Sequence, residues 1–121
     1  MPKRPDPHAR KALSLPVVYI LLALSEGDLH GYAIKQAVER RTDGAIRLGP
    51  GTLYEAIQRL EDGGLIAGAE AAREPRDGQQ AQRRYYTLTD RGWSALRDEV
   101  RQLGRLVDDA RANPRLRKGM A

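Results

Sequence analysis

The stretch LGPGTLYEAIQRLEDGGLI, Leu48–Ile66, fixes the bounds and the facing of one helix before the rest of the chain is considered. Gly49 can serve as its N-cap and Pro50 as its first helical residue. Proline loses nothing there, because that N–H would have no intrahelical partner. Gly63 and Gly64 end the helix, since glycine suits a left-handed cap. Between these bounds Leu53, Ile57 and Leu60 recur at i, i+4 and i+7 and form one inward face. At about 100° per residue, Gly51, Glu55, Gln58 and Asp62 then point outward. Thr52 and Arg59 lie on one flank, Tyr54 and Glu61 on the other. That outward side is polar and uncommitted, so the rest of the chain must say what it meets.

A chain of 121 residues suits one domain. It has no Phe, so its core must come from Leu, Ile, Val, Ala, five Tyr and one Trp. So thin a core makes oligomerisation a reasonable way to bury more surface. The net charge of +5 suggests an anionic partner, a weak signal taken alone. The absence of Cys excludes disulfides, thiolate metal sites and a Cys nucleophile. His8 and His30 are far apart, and nothing has the spacing of a zinc site, a phosphate-binding glycine loop or a nucleophile elbow. No metal and no cofactor are expected, and the chain does not read as an enzyme. Lys3, Arg4, Arg10 and Lys11 precede LSLPVVYILLALS, a pattern a signal peptide also has, although a helix inside the fold is the preferred reading. The run is too short to span a bilayer, and Pro16 near its start suits a helix's first turn. A cytoplasmic location without membrane contact is expected.

Residues 1–13 form a basic, Pro-rich arm that reads as flexible and solvated. Contact with phosphate, or a helical extension packed on a partner, stays open. Ser14 can cap a helix to about Ser25, with Leu15, Val18, Leu21 and Leu22 on one face and Val17, Ile20 and Leu24 widening it. The segment EGDLHG breaks that helix. A second runs from His30 to about Arg41, with Tyr32, Ile34, Ala37 and Val38 as candidate buried residues. After the third helix, LIAGAEAA and RRYYTLT read as two short strands around a long hairpin tip. Thr89 can cap a fourth helix to about Ala112, which Asn113-Pro114 stops. Residues 113–121 read as a flexible tail. The fold class is mainly α with a small β-hairpin. Residues 14–88 have the element order of a winged helix-turn-helix, and 89–112 form a C-terminal dimerisation helix.

The outward side of the third helix has the chemistry for double-stranded DNA. Gly51 has no side chain to hold the helix N-terminus away from a phosphate. Thr52 and Tyr54 offer hydroxyls, Gln58 can read adenine, and Arg59 can read guanine or hold a phosphate. Glu55 can accept from a cytosine amino group or pair with Arg59 one turn on, and the pair is the preferred reading. A merely solvated helix side is an equal alternative. Arg73 and Arg76 in the hairpin tip, with Arg83 and Arg84 at the return strand, can reach backbone or minor groove. An exposed basic loop is the plainer reading.

The fourth helix carries Trp93, Leu96, Val100, Leu103, Val107 and Ala110 at 3-4-3-4-3 spacing, a seam for a facing helix. At about 24 residues it is roughly 36 Å long, more than so small a domain can cover. A dimer through this seam is preferred to packing of the stripe on its own domain. Leu106 lies off it, within reach of the partner's first helix, where Leu15, Val18 and Leu22 complete the expected interface.

Three segments resemble the PadR family of bacterial transcriptional regulators: LLALSEGDLHGYAIKQAVE, LGPGTLYEAIQRLEDGGLI and RRYYTLTDRGWSAL. In order they cover about residues 14–97. The resemblance implies a winged helix, a homodimer through the C-terminal helix, and repression of a nearby promoter. The chain's length matches the smaller subclass, with one short C-terminal helix. Some relatives release DNA on binding phenolic or flat aromatic compounds near the dimer interface. Trp93 is the residue on which such an effector would stack, although a wedge in the core or seam is the preferred reading. Glu55 departs from the pattern, since many relatives carry Pro or a small residue there. The expected function is a sequence-specific DNA-binding regulator, a homodimeric repressor on an inverted repeat. A protein-interaction module, or a small-molecule sensor that does not itself bind an operator, is the alternative.

Overall fold

The computed structural model describes residues 12–69 and 84–120. Most of the basic arm and the hairpin tip, including Arg73, Arg76 and Arg83, therefore lie outside the described residues.

Helix α1 spans Leu15–Leu24, and the Ser14 hydroxyl accepts from the Val17 N–H at 3.4 Å. It is buried on most sides, through Val18, Ile20, Leu21, Ala23 and Leu24. Leu29–His30 then form a two-residue strand, β1. His30 also caps α2, Gly31–Arg41, by accepting the Ala33 N–H on Nδ1 at 3.2 Å. That geometry needs a neutral ring with its proton on Nε2. Within α2, Ile34, Ala37 and Val38 are buried as expected, but Tyr32 is 56% exposed. It stands beside the apolar face rather than on it, and the helical period alone does not separate the two.

Helix α3 spans Pro50–Asp62 with Gly49 as N-cap. Gly63 stays right-handed and Gly64 takes the positive φ of 78°. The Leu65 N–H then reaches the Leu60 carbonyl, and the Gly64 N–H reaches that of Glu61. This pair of bonds is a Schellman closure, which satisfies carbonyls that the helix end would leave bare.

Strands β2, Ile66–Ala69, and β3, Tyr85–Leu88, pair antiparallel with Ile66 opposite Leu88 and Ala69 opposite Tyr85. β1 adds to the far side of β3, Leu29 opposite Tyr86, so the sheet order is β1-β3-β2. A two-stranded hairpin was expected. The third strand has only two residues, too few for an alternation to show in sequence.

Helix α4 spans Asp90–Arg111, its first turn capped by Thr89, whose hydroxyl accepts from the Gly92 N–H at 3.0 Å. Asn113 does not open a plain tail. Its side chain accepts from the Arg115 and Leu116 N–H groups and starts a short exposed helix, α5, Pro114–Arg117. Asn113-Pro114 is thus both a stop and an N-cap followed by N1 proline.

The core gathers α1, α2, α3, the sheet and the first half of α4. Ile20, Leu21, Ile34, Val38, Leu53, Ile57 and Ile66 are its most enclosed side chains. On α4 the buried residues are Gly92, Leu96 and Glu99, all before Val100. The second half of that helix projects with Val100, Leu106 and Val107 exposed.

Candidate nucleic-acid interface

Leu53 and Ile57, each 2% exposed, and Leu60, 5% exposed, hold α3 from beneath. Gly51, Thr52, Tyr54, Glu55, Gln58 and Arg59 all stand exposed on its other sides. A Cβ built at Gly51 meets nothing within 4 Å, so the helix start is open to an approaching partner. The outward placement read from the helical period therefore holds in three dimensions.

Tyr54 is less free than its exposure suggests. A Cβ at Gly31 would lie 2.9 Å from its hydroxyl oxygen and 3.1 Å from its ring. The ring thus lies against the first residue of α2, where a larger residue would push its tip aside. Gln58 donates to the Asp62 carboxylate at 3.0 Å.

The expected Glu55–Arg59 pair is absent among the described residues, where neither side chain has an ion-pair partner. An exposed i,i+4 pair gains only about 0.3–0.5 kcal/mol, too little to hold two long side chains together. Both heads remain available to a ligand. With Thr52 they edge a groove of about 520 Å³ between α3 and the start of α1, floored by Val17, Leu48 and Leu60.

Arg84, its side chain still 62% exposed, reaches across to the last turn of α3. It donates to the Glu61 carboxylate at 2.8 Å, and its guanidinium lies 5.5 Å from the centre of the Tyr86 ring. Gly68 on β2 makes room, since a Cβ there would lie 2.8 Å from the guanidinium. Arg84 thus braces β3 against the last turn of α3. Glu61, Gly31 and Gly68 are the supporting residues that the sequence pattern did not reveal. The signal for the glycines was available, because glycine in a strand or at a helix start often marks close approach.

Burial pushes the Tyr86 phenol above its ordinary range; Arg84 pulls it down, while Glu61 and Tyr54 push it further up. A raised folded-state value means that the neutral form contributes stability below about pH 10, the unfolded value. That stability is lost as pH rises through the folded-state value. Chemical denaturation at pH 9 and pH 11 should show a drop that is smaller in Tyr86→Phe, which keeps the ring and removes the ionising group. An equal drop in both proteins would assign the alkaline loss elsewhere.

The residues expected at a dimer interface fall into three groups. Val18, 6% exposed, and Leu96, 5%, are closed into the chain's own core, because the first half of α4 folds back onto it. Leu15, Val100, Leu106 and Val107 are exposed, whereas Leu22, Leu103 and Ala110 are half-buried. Trp93 is half-buried, with the Arg97 guanidinium 5.7 Å from its ring centre. It lines an open cavity of about 390 Å³ with Ser25, Leu96, Arg97, Val100 and Arg101. Among the described residues, no helix is long and apolar enough to cross a membrane.

Three core helices, with α3 as the second helix of a helix-turn-helix, followed by the β2–β3 wing, define a winged-helix protein. The sequence pattern of the transcriptional regulator PadR-like family matches residues 20–98. This chain belongs to that family, which places it among regulatory proteins rather than enzymes. The transcriptional regulator Rv3488 of Mycobacterium tuberculosis is 32% identical over 90 residues, covering 74% of this chain and 77% of that one. A 37.1 kDa protein in transposon TN4556 of Streptomyces fradiae is 38% identical over 87 residues, 72% of this chain but 22% of that protein. This chain therefore spans about a fifth of the transposon protein's length. Among solved structures, a PadR family transcription regulator from Clostridium difficile aligns with a TM-score of 0.64 and 25% identity, covering 82% of this chain and 96% of that one. Bacillus subtilis PadR in complex with operator DNA aligns with a TM-score of 0.58 and 24% identity, covering 71% and 46%, and shares the fold.

Proposed function

We propose that the chain is a homodimeric repressor that lays α3 in the major groove of an inverted-repeat operator. The observation that carries this reading is the exposed polar side of α3, open at Gly51 and anchored by Leu53, Ile57 and Leu60. Thr52 and Tyr54 supply hydroxyls to phosphates or base edges. Gln58 reads a base after exchanging its bond to Asp62, a substitution of one hydrogen bond for another that costs little. Arg59 reads guanine or grips a phosphate, and Glu55 accepts from a cytosine amino group. The operator complex of Bacillus subtilis PadR supports the same use of the fold.

Arg73, Arg76 and Arg83 belong to the wing's polar segment and would contact backbone or minor groove. Arg84 contributes by holding the wing, since a phosphate would have to compete with Glu61 for it. The dimer forms through the projecting half of α4, with Leu15 and Leu22 of α1 alongside. A small flat aromatic effector would enter the cavity beside Trp93 and release the DNA. The protein acts in the cytoplasm, where its operator lies.

Selection of bound fragments from a random DNA pool tests the reading. An inverted repeat should emerge, with half-site centres about 34 Å apart. The logarithm of affinity should fall linearly with that of salt, at a slope near −0.9 per phosphate contacted. A flat slope would reject DNA as the partner. Arg59→Ala should cost about 1–3 kcal/mol and relax preference at one base position. A loss equal for all sequences would make Arg59 a phosphate contact instead.

A further inference from the structure

Helices α3 and α4 are joined at one small contact. On one side is the closing turn of α3, Gly64 and Leu65. On the other is the first turn of α4. The Thr89 N–H donates to the Leu65 carbonyl at 3.1 Å, and the Thr89 hydroxyl donates to the Gly64 carbonyl at 2.6 Å. The same hydroxyl accepts from the Gly92 N–H at 3.0 Å, so one oxygen both caps α4 and ties it to the end of α3. Gly92 sets the backbone of α4 directly on Leu65: a Cβ at Gly92 would lie 2.0 Å from the Leu65 carbonyl oxygen. The hydrogen bonds of the contact run between backbone groups and one short side chain, so no long, flexible side chain carries them.

Beyond this contact the fully buried residues of α4 end at Glu99, Leu103 packs partly against the core, and the helix after it is largely exposed. We infer that Thr89 and Gly92 set the angle between the DNA-reading helix and the dimer helix, and so the spacing of the two reading helices on an operator. They are positioning residues, and neither touches DNA. The inference rests on the proposed DNA-binding dimer. Its sensitivity follows from lever arithmetic. Thr52, at the reading end of α3, lies about 18 Å along the helix from the contact at Gly64, at about 1.5 Å per residue. A tilt of about 10° at the contact moves it by about 3 Å, close to one base-pair step.

The test is a set of inverted repeats whose half-site spacing varies one base pair at a time, measured with the full chain. Thr89→Ser keeps the hydroxyl and should keep the wild-type optimum. Thr89→Val keeps the shape but can neither donate to Gly64 nor accept from Gly92. Thr89→Asp remains a good cap for α4, so it guards against loss of the fold, but it cannot donate to Gly64. Both Val and Asp should remain dimeric and lose about tenfold or more at the wild-type spacing. Their optimum should shift or broaden by a base pair. An unchanged profile, or a loss equal at every spacing, overturns the inference. If the wild-type chain binds no inverted repeat at all, the DNA-binding reading fails first and takes this one with it.

Discussion

Gly92→Ala is expected to lower the melting temperature by roughly 10 °C, equivalent to about 2–3 kcal/mol in a chain of this size. In an ordinary helix interior the same change stabilises by up to about 1 kcal/mol, because alanine has the better propensity. Here the added Cβ would meet the Leu65 carbonyl oxygen at 2.0 Å, its carbon at 3.0 Å and a Leu88 methyl at 3.1 Å. The first two are backbone atoms of the turn that closes α3, and they cannot swing aside as a side-chain tip would. Helix α4 has to lift, which also strains the Thr89 bonds. Gly104→Ala is the internal control. It lies in the same helix with nothing within 4 Å of its would-be Cβ, so it should be neutral or raise the melting temperature. Thermal melts of the two variants by circular dichroism make the comparison. Equal effects would mean that α4 is not seated on Leu65 as described.

The contrast between these two glycines shows what the sequence could and could not reveal. A glycine inside a good helical pattern is a visible anomaly, but only the tertiary contact tells which of two has a cause. Helix α3 was legible in full because three signals agreed: Pro50 at the start, Gly63-Gly64 at the end, and Leu53, Ile57 and Leu60 at one period. The caps at Ser14 and Thr89 were legible for the same local reason. β1 was not, since two residues acquire strand character only from their pairing with Tyr85 and Tyr86. Arg84 and Glu61 are 23 residues apart, so no local rule links them. The Glu55–Arg59 pair failed in the opposite way: its spacing was right, but the local gain was too small to decide the geometry. The stripe on α4 was read as one seam, yet the fold divides it. Leu96 goes to the chain's own core, while Val100 and Val107 are left outside.

That division makes the second large effect sharp. Val100 is 49% exposed and Val107 40% exposed, seven residues apart on one side of α4. Leu106 beside them is 63% exposed. Full burial of such side chains is worth about 1.5–3 kcal/mol each, and a two-fold axis counts every contact twice. The double variant Val100→Glu, Val107→Glu places four carboxylates in the proposed seam of a dimer. It should be monomeric by sedimentation at micromolar concentration. Its helical circular dichroism should survive, because neither valine is buried in its own chain. With the two reading helices no longer linked, affinity for a full inverted repeat should fall by about 10²–10⁴, while affinity for a single half-site changes little. A variant that stays dimeric would move the interface to another face. One that is monomeric yet holds the full repeat as tightly as before would mean that a single winged helix reads the operator, and that the projecting half of α4 serves a different partner.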